Sequence, residues 1–351
     1  MLAQLAEFRE AAQRTLDPAV LDYYEAGSGE EVTVAEAEGA WRAHRLRPRV
    51  LTDVSAVDVS VDLLGSRVGS PFVVAPMAFH GLAHGEAECA TAAGAGAAGA
   101  AMVLSTRSSR TVEDVAAAAT GCWWFQAYCM RDRGLTEALV QRAAAAGARA
   151  VVLTVDTPYV GRKGRVSGTR IAVPDDHFLV NLAQHLVPGS IGRESAEQDP
   201  SMTPDFIGRL AEVGGLPVLV KGVLRGDEAI RCLDAGAAGV IVSNHGGRQL
   251  DRAVASALAL PEVLDAVGDR APVLVDGGIR SGTDALVALA LGAKAVLVGR
   301  PLLWALAAGG AAAVAGALDA LADDLRHVMA VAGAASPAAL DPTMVAAFRG
   351  A

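Results

Sequence analysis

The chain is expected to fold as an α/β protein, a (β/α)₈ barrel preceded by a helical extension. Three observations predict this: a recurring helix-to-strand fragment, enough buried strands to close a barrel, and polar residues gathered where those strands end. The fragment occurs three times. Ala146-Gly147-Ala148-Arg149-Ala150 precedes Val151-Val152-Leu153-Thr154-Val155-Asp156, and Ala235-Gly236-Ala237-Ala238-Gly239 precedes Val240-Ile241-Val242. Leu291-Gly292-Ala293-Lys294-Ala295 precedes Val296-Leu297-Val298-Gly299-Arg300. In each, an alanine-rich helix stops at a glycine suited to a left-handed cap, and a short β-branched strand follows.

Residues 1–45 carry one or two helices, with Pro48 marking the exit towards the barrel. Strands are expected at about 72–78, 100–106, 123–128, 150–157, 216–223, 239–244, 272–278 and 295–300. The barrel then occupies 72–310 within a single domain spanning 1–351. Helices fall between the strands, as at Asp227 to Ala235 and Thr283 to Leu291, and Trp123, Trp124 and Phe125 are expected in the core. The connection 158–204 is rich in Gly, Pro, Ser and charge, with a weak helical pattern near 176–187. It follows the fourth strand, on the face where such barrels place their chemistry, so it is read as a lid.

Composition narrows the function classes. The 351 residues carry a net charge of −9, which gives no support to nucleic-acid binding. No segment reaches the roughly 18 uninterrupted apolar residues of a membrane span. Met1 to Arg14 mixes acids with apolar residues, as an amphipathic helix does and a secretory signal does not. Cys89, Cys122, Cys129 and Cys232 lack C-x-x-C spacing and suit reduced thiols, so a cytoplasmic protein is expected. No metal site is expected either: His80 and His84 are four apart but have no acidic partner, and read as loop or helix-start residues.

The chemistry concentrates after the sixth strand. Val240-Ile241-Val242 gives way to Ser243, Asn244, His245, Gly246, Gly247 and Arg248. A group titrating near neutrality thus stands three residues from a fixed cation, with glycines between them that allow close backbone approach. The other strands end in Pro76-Met77-Ala78, Ser105, Gln126 with Tyr128, Thr154 with Asp156, Lys221, Asp276-Gly277-Gly278-Ile279-Arg280, and Gly299-Arg300. The last two sets follow strands seven and eight, the usual phosphate site of these barrels, with Arg280 and Arg300 supplying charge. Gln126, Thr154 and Ser243 could bond a heteroaromatic ring whose electron-rich edge faces Lys221. Phosphate plus polar ring edge points to a mononucleotide, and flavin mononucleotide (FMN) fits best.

These residues resemble the FMN-dependent 2-hydroxy-acid oxidases and dehydrogenases, from Asp22-Tyr23-Tyr24 through His327. Ser243-Asn244-His245-Gly246-Gly247-Arg248-Gln249-Leu250-Asp251 is the most specific element. Thr154-Val155-Asp156-Thr157-Pro158, Val220-Lys221-Gly222-Val223, Asp276-Gly277-Gly278 and Val298-Gly299-Arg300-Pro301 support it. The resemblance implies His245 as catalytic base, Asp156 as the carboxylate that stabilises its protonated form, and Arg248 with Tyr23 as the substrate-carboxylate site. It implies that Tyr128 bonds the substrate oxygen, that Lys221 lies beside flavin N1, and that residues 76–78 touch the N5 side. Only the resemblance places Tyr23 in the site, and Asp156 could instead serve an Asp-Thr-Pro turn. A homo-oligomer, a tetramer, is implied in the same way.

The sequence departs from that family in two places. Arg162-Lys163 replaces a pair of arginines, so Lys163 keeps the substrate-facing charge without the bidentate fork, and Gly164 to Thr169 lack the expected lid pattern. Arg107 stands where relatives often carry an aromatic residue. The substrate class is an (S)-2-hydroxy acid, with an aryl one suggested by Ala78-Phe79-His80-Gly81-Leu82-Ala83-His84. Oxygen is the expected acceptor, because Asp175, Asp176, Arg193, Glu194 and Glu197 make 175–200 too polar for a membrane-binding insertion. Two alternatives remain: a Schiff-base aldolase or isomerase using Lys221, and a flavin-binding barrel without turnover.

Overall fold

Short runs of valine, leucine, isoleucine and alanine pair in parallel to close a barrel, as all-parallel sheets with both faces covered require. A computed structural model describes residues 2–163, 173, 177, 180–182 and 193–347. The barrel strands, here β1 to β8, are Phe72–Val74, Ala101–Ser105, Trp123–Tyr128, Val151–Thr154, Val218–Val223, Gly239–Val242, Val273–Val275 and Ala295–Val298. They pair in sequence order, and β8 returns to β1 through Val296, Leu297 and Val298 beside Phe72, Val73 and Val74. The expected barrel is present. Several strands end two to four residues sooner than their expected limits, as β1 does at Val74 and β7 at Val275. Their polar tips have left the ladder, which frees them to face a cavity.

Side-chain alternation divides the core in two. Val73, Val103, Trp124, Val152, Leu219, Ile241, Leu274 and Leu297 fill the barrel interior. An antiparallel hairpin, Val61–Leu63 with Ser66–Val68, adds Val61, Leu63 and Val68 to that interior. Residues one position on, such as Val74, Phe125 and Val242, face the surrounding helices. Trp123, Trp124 and Phe125 are all buried, as expected.

The extension has three helices rather than one or two: Ala3–Thr15, Pro18–Glu25 and Val32–Arg42. Asp17 caps the second, accepting from the Ala19 amide at 2.8 Å, with Pro18 at its first position. The final helix outruns the expected barrel limit of 310, extending from Arg300 to Ala332 with a break at Gly309-Gly310. The 158–204 lid expectation, its 176–187 helical pattern and the departure at 164–169 fall largely or wholly outside the described residues. What is described of its far end, 195–199, docks on the exit of β3: the Arg131 amide donates to Glu197 O at 2.8 Å and the Asp199 amide to Cys129 O at 2.8 Å.

Candidate active site

At the carboxyl ends of the strands lies a cavity of about 470 Å³. Of the residues expected to act on substrate or cofactor, all line it except Asp156 and Ser243, which stand one contact behind, while Asn244, Gly247 and Ile279 of the same loops do not line it. Pro76, Met77 and Ala78 follow β1, and Ser105 ends β2. Gln126 and Tyr128 end β3, Thr154 ends β4, and Lys221 lies in β5. The others come from the loops after β6, β7 and β8, from the extension (Tyr23) and from the segment after β4 (Lys163).

His245 is held in an unusual backbone. Its φ is 58°, and Gly246 and Gly247 follow at 62° and 75°, a left-handed run that costs a side-chain-bearing residue and clusters at functional sites. The Ser243 hydroxyl fastens the turn, accepting from the His245 amide at 3.0 Å. Across the barrel mouth, His245 Nδ1 lies 2.9 Å from Asp156 Oδ1. A carboxylate accepts only, so Nδ1 carries a proton and Nε2 is the ring nitrogen turned away from Asp156. Burial works against the Asp156 charge, but the charge and hydrogen bond of His245, and then Lys221, hold its carboxyl below the usual range. Asp156 fits there because position 222 is glycine: a Cβ on Gly222, at φ 110°, would come within 2.7 Å of the Asp156 side chain. That glycine sits at the register shift of β5, where an interior strand glycine marks a bulge.

Arg248 is anchored by a helix end. Its Nη1 donates to the carbonyls of Tyr23, Tyr24 and Ala26 at 2.7, 3.1 and 2.9 Å, where Pro18–Glu25 stops and leaves acceptors unused. Its guanidinium also lies over the Tyr23 ring, 5.2 Å from the centroid. Tyr23, which only resemblance had placed, is therefore in the site. Burial pushes its phenol up, offset in part by Arg248 and Arg107. Tyr128 is pushed up too, by burial and then the Asp156 charge, so it stays a donor at neutral pH. Lys163 donates to the Arg248 carbonyl at 2.6 Å. Burial, then the guanidiniums of Arg248 and Arg300, bring its ammonium down to about 7.

The wall formed by β2 to β7 is polar and partly unsatisfied. Gln126 Oε1 accepts from Ser105 Oγ and the Thr106 amide, each at 3.2 Å. Gln126 Nε2 and Thr154 Oγ1 are buried and have no hydrogen-bond partner. Orphaned groups of this kind are costly and call for an explanation, and the polar edge of a flavin ring provides donors and acceptors for both. Lys221 Nζ donates to Ser243 Oγ at 2.7 Å and pairs with Asp276 Oδ2 at 3.0 Å. Ser243 thus acts through Lys221 rather than facing the cavity itself. A Schiff-base nucleophile would have to give up both of those contacts.

At the phosphate end, Gly277, Gly278, Arg280, Gly299 and Arg300 line one stretch of wall, as expected. Arg300 donates to Tyr24 O at 3.2 Å and Gly246 O at 2.9 Å, and Arg280 lies 3.2 Å from Glu38. Burial, then Arg248 and Arg280, hold Arg300 below the usual arginine range, an arrangement that favours an incoming anion. These residues fit FMN.

Several contributors were missed in the sequence. Tyr24 lines the cavity, donates from its hydroxyl to Phe79 O at 2.7 Å and accepts from both Arg248 and Arg300. Trp41 Nε1 donates to Gly277 O at 2.7 Å, fastening the phosphate loop to the extension. Gln249 bonds the carbonyls of Asp156 and Tyr159 at 3.1 and 3.0 Å, and Asp251 accepts from the Glu30 and Thr33 amides at 2.7 and 3.2 Å. The motif around His245 was the available signal for the last two, but nothing in it named their partners. Among the described residues no cluster of His, Cys, Asp and Glu could hold a metal ion.

Comparisons with known proteins agree with this geometry. A model of the FMN-dependent dehydrogenase family matches residues 12–347. The chain is 45% identical to an L-lactate oxidase from Nostoc sp., covering 94% of each. It is 41% identical to glycolate oxidase 3 of Arabidopsis thaliana, covering 95% of this chain and 93% of that one. A crystal structure of mandelate oxidase with (S)-2-phenylpropionate matches with a TM-score of 0.89 at 40% identity, covering 97% of each chain. The same enzyme with (S)-4-hydroxymandelic acid matches at 0.88 and 40% identity, covering 95% of this chain and 96% of that one. Orphaned ring-edge groups, a glycine-lined anion site and an Asp-supported histidine thus stand in a chain that belongs to the FMN-dependent dehydrogenase family.

Proposed function

We propose that this flavoenzyme oxidises an (S)-2-hydroxy acid, preferably an aryl one, to the 2-keto acid and passes the electrons to oxygen. One observation carries the reading: the His245–Asp156 pair, at 2.9 Å, shares a cavity with an Arg248 anchored to hold a carboxylate. Arg248 receives the substrate carboxylate with the part of its guanidinium not committed to the 23–26 carbonyls. Tyr23 and Lys163 complete that end. The Tyr128 hydroxyl donates to the substrate oxygen. His245 Nε2 then removes a proton, and the Asp156 carboxylate stabilises the imidazolium through Nδ1–H. Bound FMN supplies the two-electron acceptor. Gln126, Thr154 and Ser105 orient the ring, and Lys221 places positive charge at the edge where electron density grows.

The names of the relatives support a 2-hydroxy-acid substrate and, being oxidases, an oxygen acceptor. The aryl preference rests on the likeness to mandelate oxidase and on the Tyr23, Tyr24 and Phe79 rings along the cavity. Burying roughly 150 Å² of substrate ring at about 25 cal/mol per Å² stabilises binding by a few kcal/mol. The lactate oxidase relative favours a short aliphatic substrate as the second reading. The test is anaerobic: glycolate, lactate, mandelate and 4-hydroxymandelate are added in turn to the yellow protein, and bleaching is timed. Mandelates should exceed glycolate about 100-fold in kcat/KM. Fastest bleaching by glycolate or lactate refutes the aryl reading, and no bleaching by any acid refutes the activity.

A further inference from the structure

The final helix sets an indole beside the phosphate end of the cavity. Trp304, in the helix Arg300–Ala332, is 3% exposed, and two guanidiniums lie over its ring. The Arg280 Cζ is 5.7 Å from the ring centroid, and that of Arg9, from the helix Ala3–Thr15, is 5.2 Å away. Arg280 lines the cavity, with Nη1 donating to Ile279 O at 2.8 Å and Nε 3.2 Å from Glu38 Oε1. Arg9 donates to the Glu25 carboxylate from Nε and Nη2 at 3.2 and 3.4 Å. The Glu25 charge in turn acts on Arg300, which lines the same end of the cavity. The Leu2 amide donates to Arg280 O at 3.4 Å, so the N-terminal segment docks directly on the loop after β7.

We propose that Trp304 is a positioning residue for the cofactor: its ring orients Arg280 towards the FMN phosphate, and Arg9, which shares the ring, keeps the Glu25 charge from opposing that phosphate at Arg300. This concerns the cofactor and holds for whichever 2-hydroxy acid is oxidised. The indole N–H is buried without a hydrogen-bond partner among the described residues. Leu302, Leu303, Ala305 and Leu306 are buried around it in the chain, and a phenylalanine would fill the space without stranding a donor. What the indole adds is the aromatic face that attracts a cation most strongly. A guanidinium on a long side chain binds an anion better when one geometry is already imposed on it, and a ring face together with Glu38 imposes it here. Glu25, with a side chain only 11% exposed, would without Arg9 leave a carboxylate uncompensated beside the anion site.

The experiment separates phosphate from ring. The full chain, stripped of flavin, is titrated with FMN and with riboflavin, which has the same ring system and no phosphate, and the quenching of flavin fluorescence gives each Kd. Trp304→Leu should raise the Kd of FMN about 5- to 30-fold, the scale of a desolvated cation–ring contact, and leave that of riboflavin within about twofold. Trp304→Phe keeps a ring face and should hold the FMN-to-riboflavin ratio within about threefold of the wild type. Arg9→Met should weaken FMN about threefold by uncovering Glu25, again with riboflavin unchanged, and adding Glu25→Gln should restore it. Equal weakening of both flavins by Trp304→Leu would make Trp304 a packing residue and overturn the proposal, as would an FMN Kd that it leaves unmoved. Should Trp304→Leu not fold, Arg9→Met carries the test alone, because Arg9 lies on a partly exposed helix, and an FMN Kd unmoved by it then overturns the proposal.

Discussion

The two halves of the cavity are built on different principles. On the cofactor side, Ser105, Gln126, Thr154 and Lys221 are strand residues, locked by parallel ladders such as Ser105 beside Gln126 and Thr154 beside Lys221. On the substrate side, Tyr23, Arg107, Lys163 and Arg248 come from four segments far apart in sequence. They meet through bonds spanning 225 residues (Arg248 to Tyr23), 85 (Lys163 to Arg248) and 89 (Arg107 to Ala196). The sheet fixes the first set as a by-product of folding the barrel. The second set depends on a few side-chain-to-carbonyl contacts, which can be rewired without touching the core. Such a site can keep its redox chemistry while changing its substrate.

His245 stands at the junction of the halves, so its loss should have the largest effect. His245→Gln should retain FMN, read from its visible spectrum, while reduction by substrate falls about 10²- to 10⁴-fold. Reduction at near wild-type rate would remove His245 from the mechanism.

Arg248→Lys should act on the substrate half alone. Losing the fork should raise KM and the Kd of a 2-keto-acid inhibitor about 10- to 100-fold, with the flavin spectrum unchanged. Hydrogen exchange of the 23–26 amides should quicken too, because the anchored guanidinium no longer gathers those carbonyls.

Lys221→Met should do the reverse. Inhibitor Kd should stay within about twofold, while the flavin potential falls by tens of millivolts, about 30 mV for each 1.4 kcal/mol in a two-electron couple. The substitution strands Asp276, now 3.0 Å from Nζ, so Lys221→Met with Asp276→Asn separates the potential from any loss of stability. Exchanged phenotypes for Arg248 and Lys221 would dissolve the distinction between the halves.

The smallest expected effect belongs to Lys163. Held down to about 7, it is an ammonium below that pH and a neutral amine above it. Attraction for an anionic inhibitor is therefore present at pH 6 and fades as pH rises through 7, and Kd should weaken several-fold by pH 8.5. Lys163→Arg should flatten that limb, since arginine keeps its charge throughout. An identical pH profile in the variant would assign the limb to another group.

Much of this was legible in the sequence, and the reason is periodicity. The glycine-capped helix before β4, β6 and β8 gave the repeat, and a buried parallel strand has one carboxyl end, so Gln126, Thr154, Lys221 and Gly278 could be placed on one face before any coordinates. Strand limits were less legible. The polar tips at 75–78 and 276–278 continue the strand sequence but leave the ladder, because their side chains and backbone serve the cavity rather than the neighbouring strand. Arg107 ordinarily reads as a solvated surface charge, and only the docking of 195–199 beside it makes it a buried wall.

The amino-acid sequence by itself determined the barrel, the order of its strands and the identity of the residues at their ends, because hydrophobic periodicity and glycine punctuation are local properties of the chain. Tertiary structure alone decided that Pro18–Glu25 ends on Arg248, that Trp41 fastens Gly277, that Gly222 makes room for Asp156, and that Arg107 lines the cavity. Each of these joins segments distant in sequence, and such contacts are selected by the packing of the closed barrel, which no local pattern encodes.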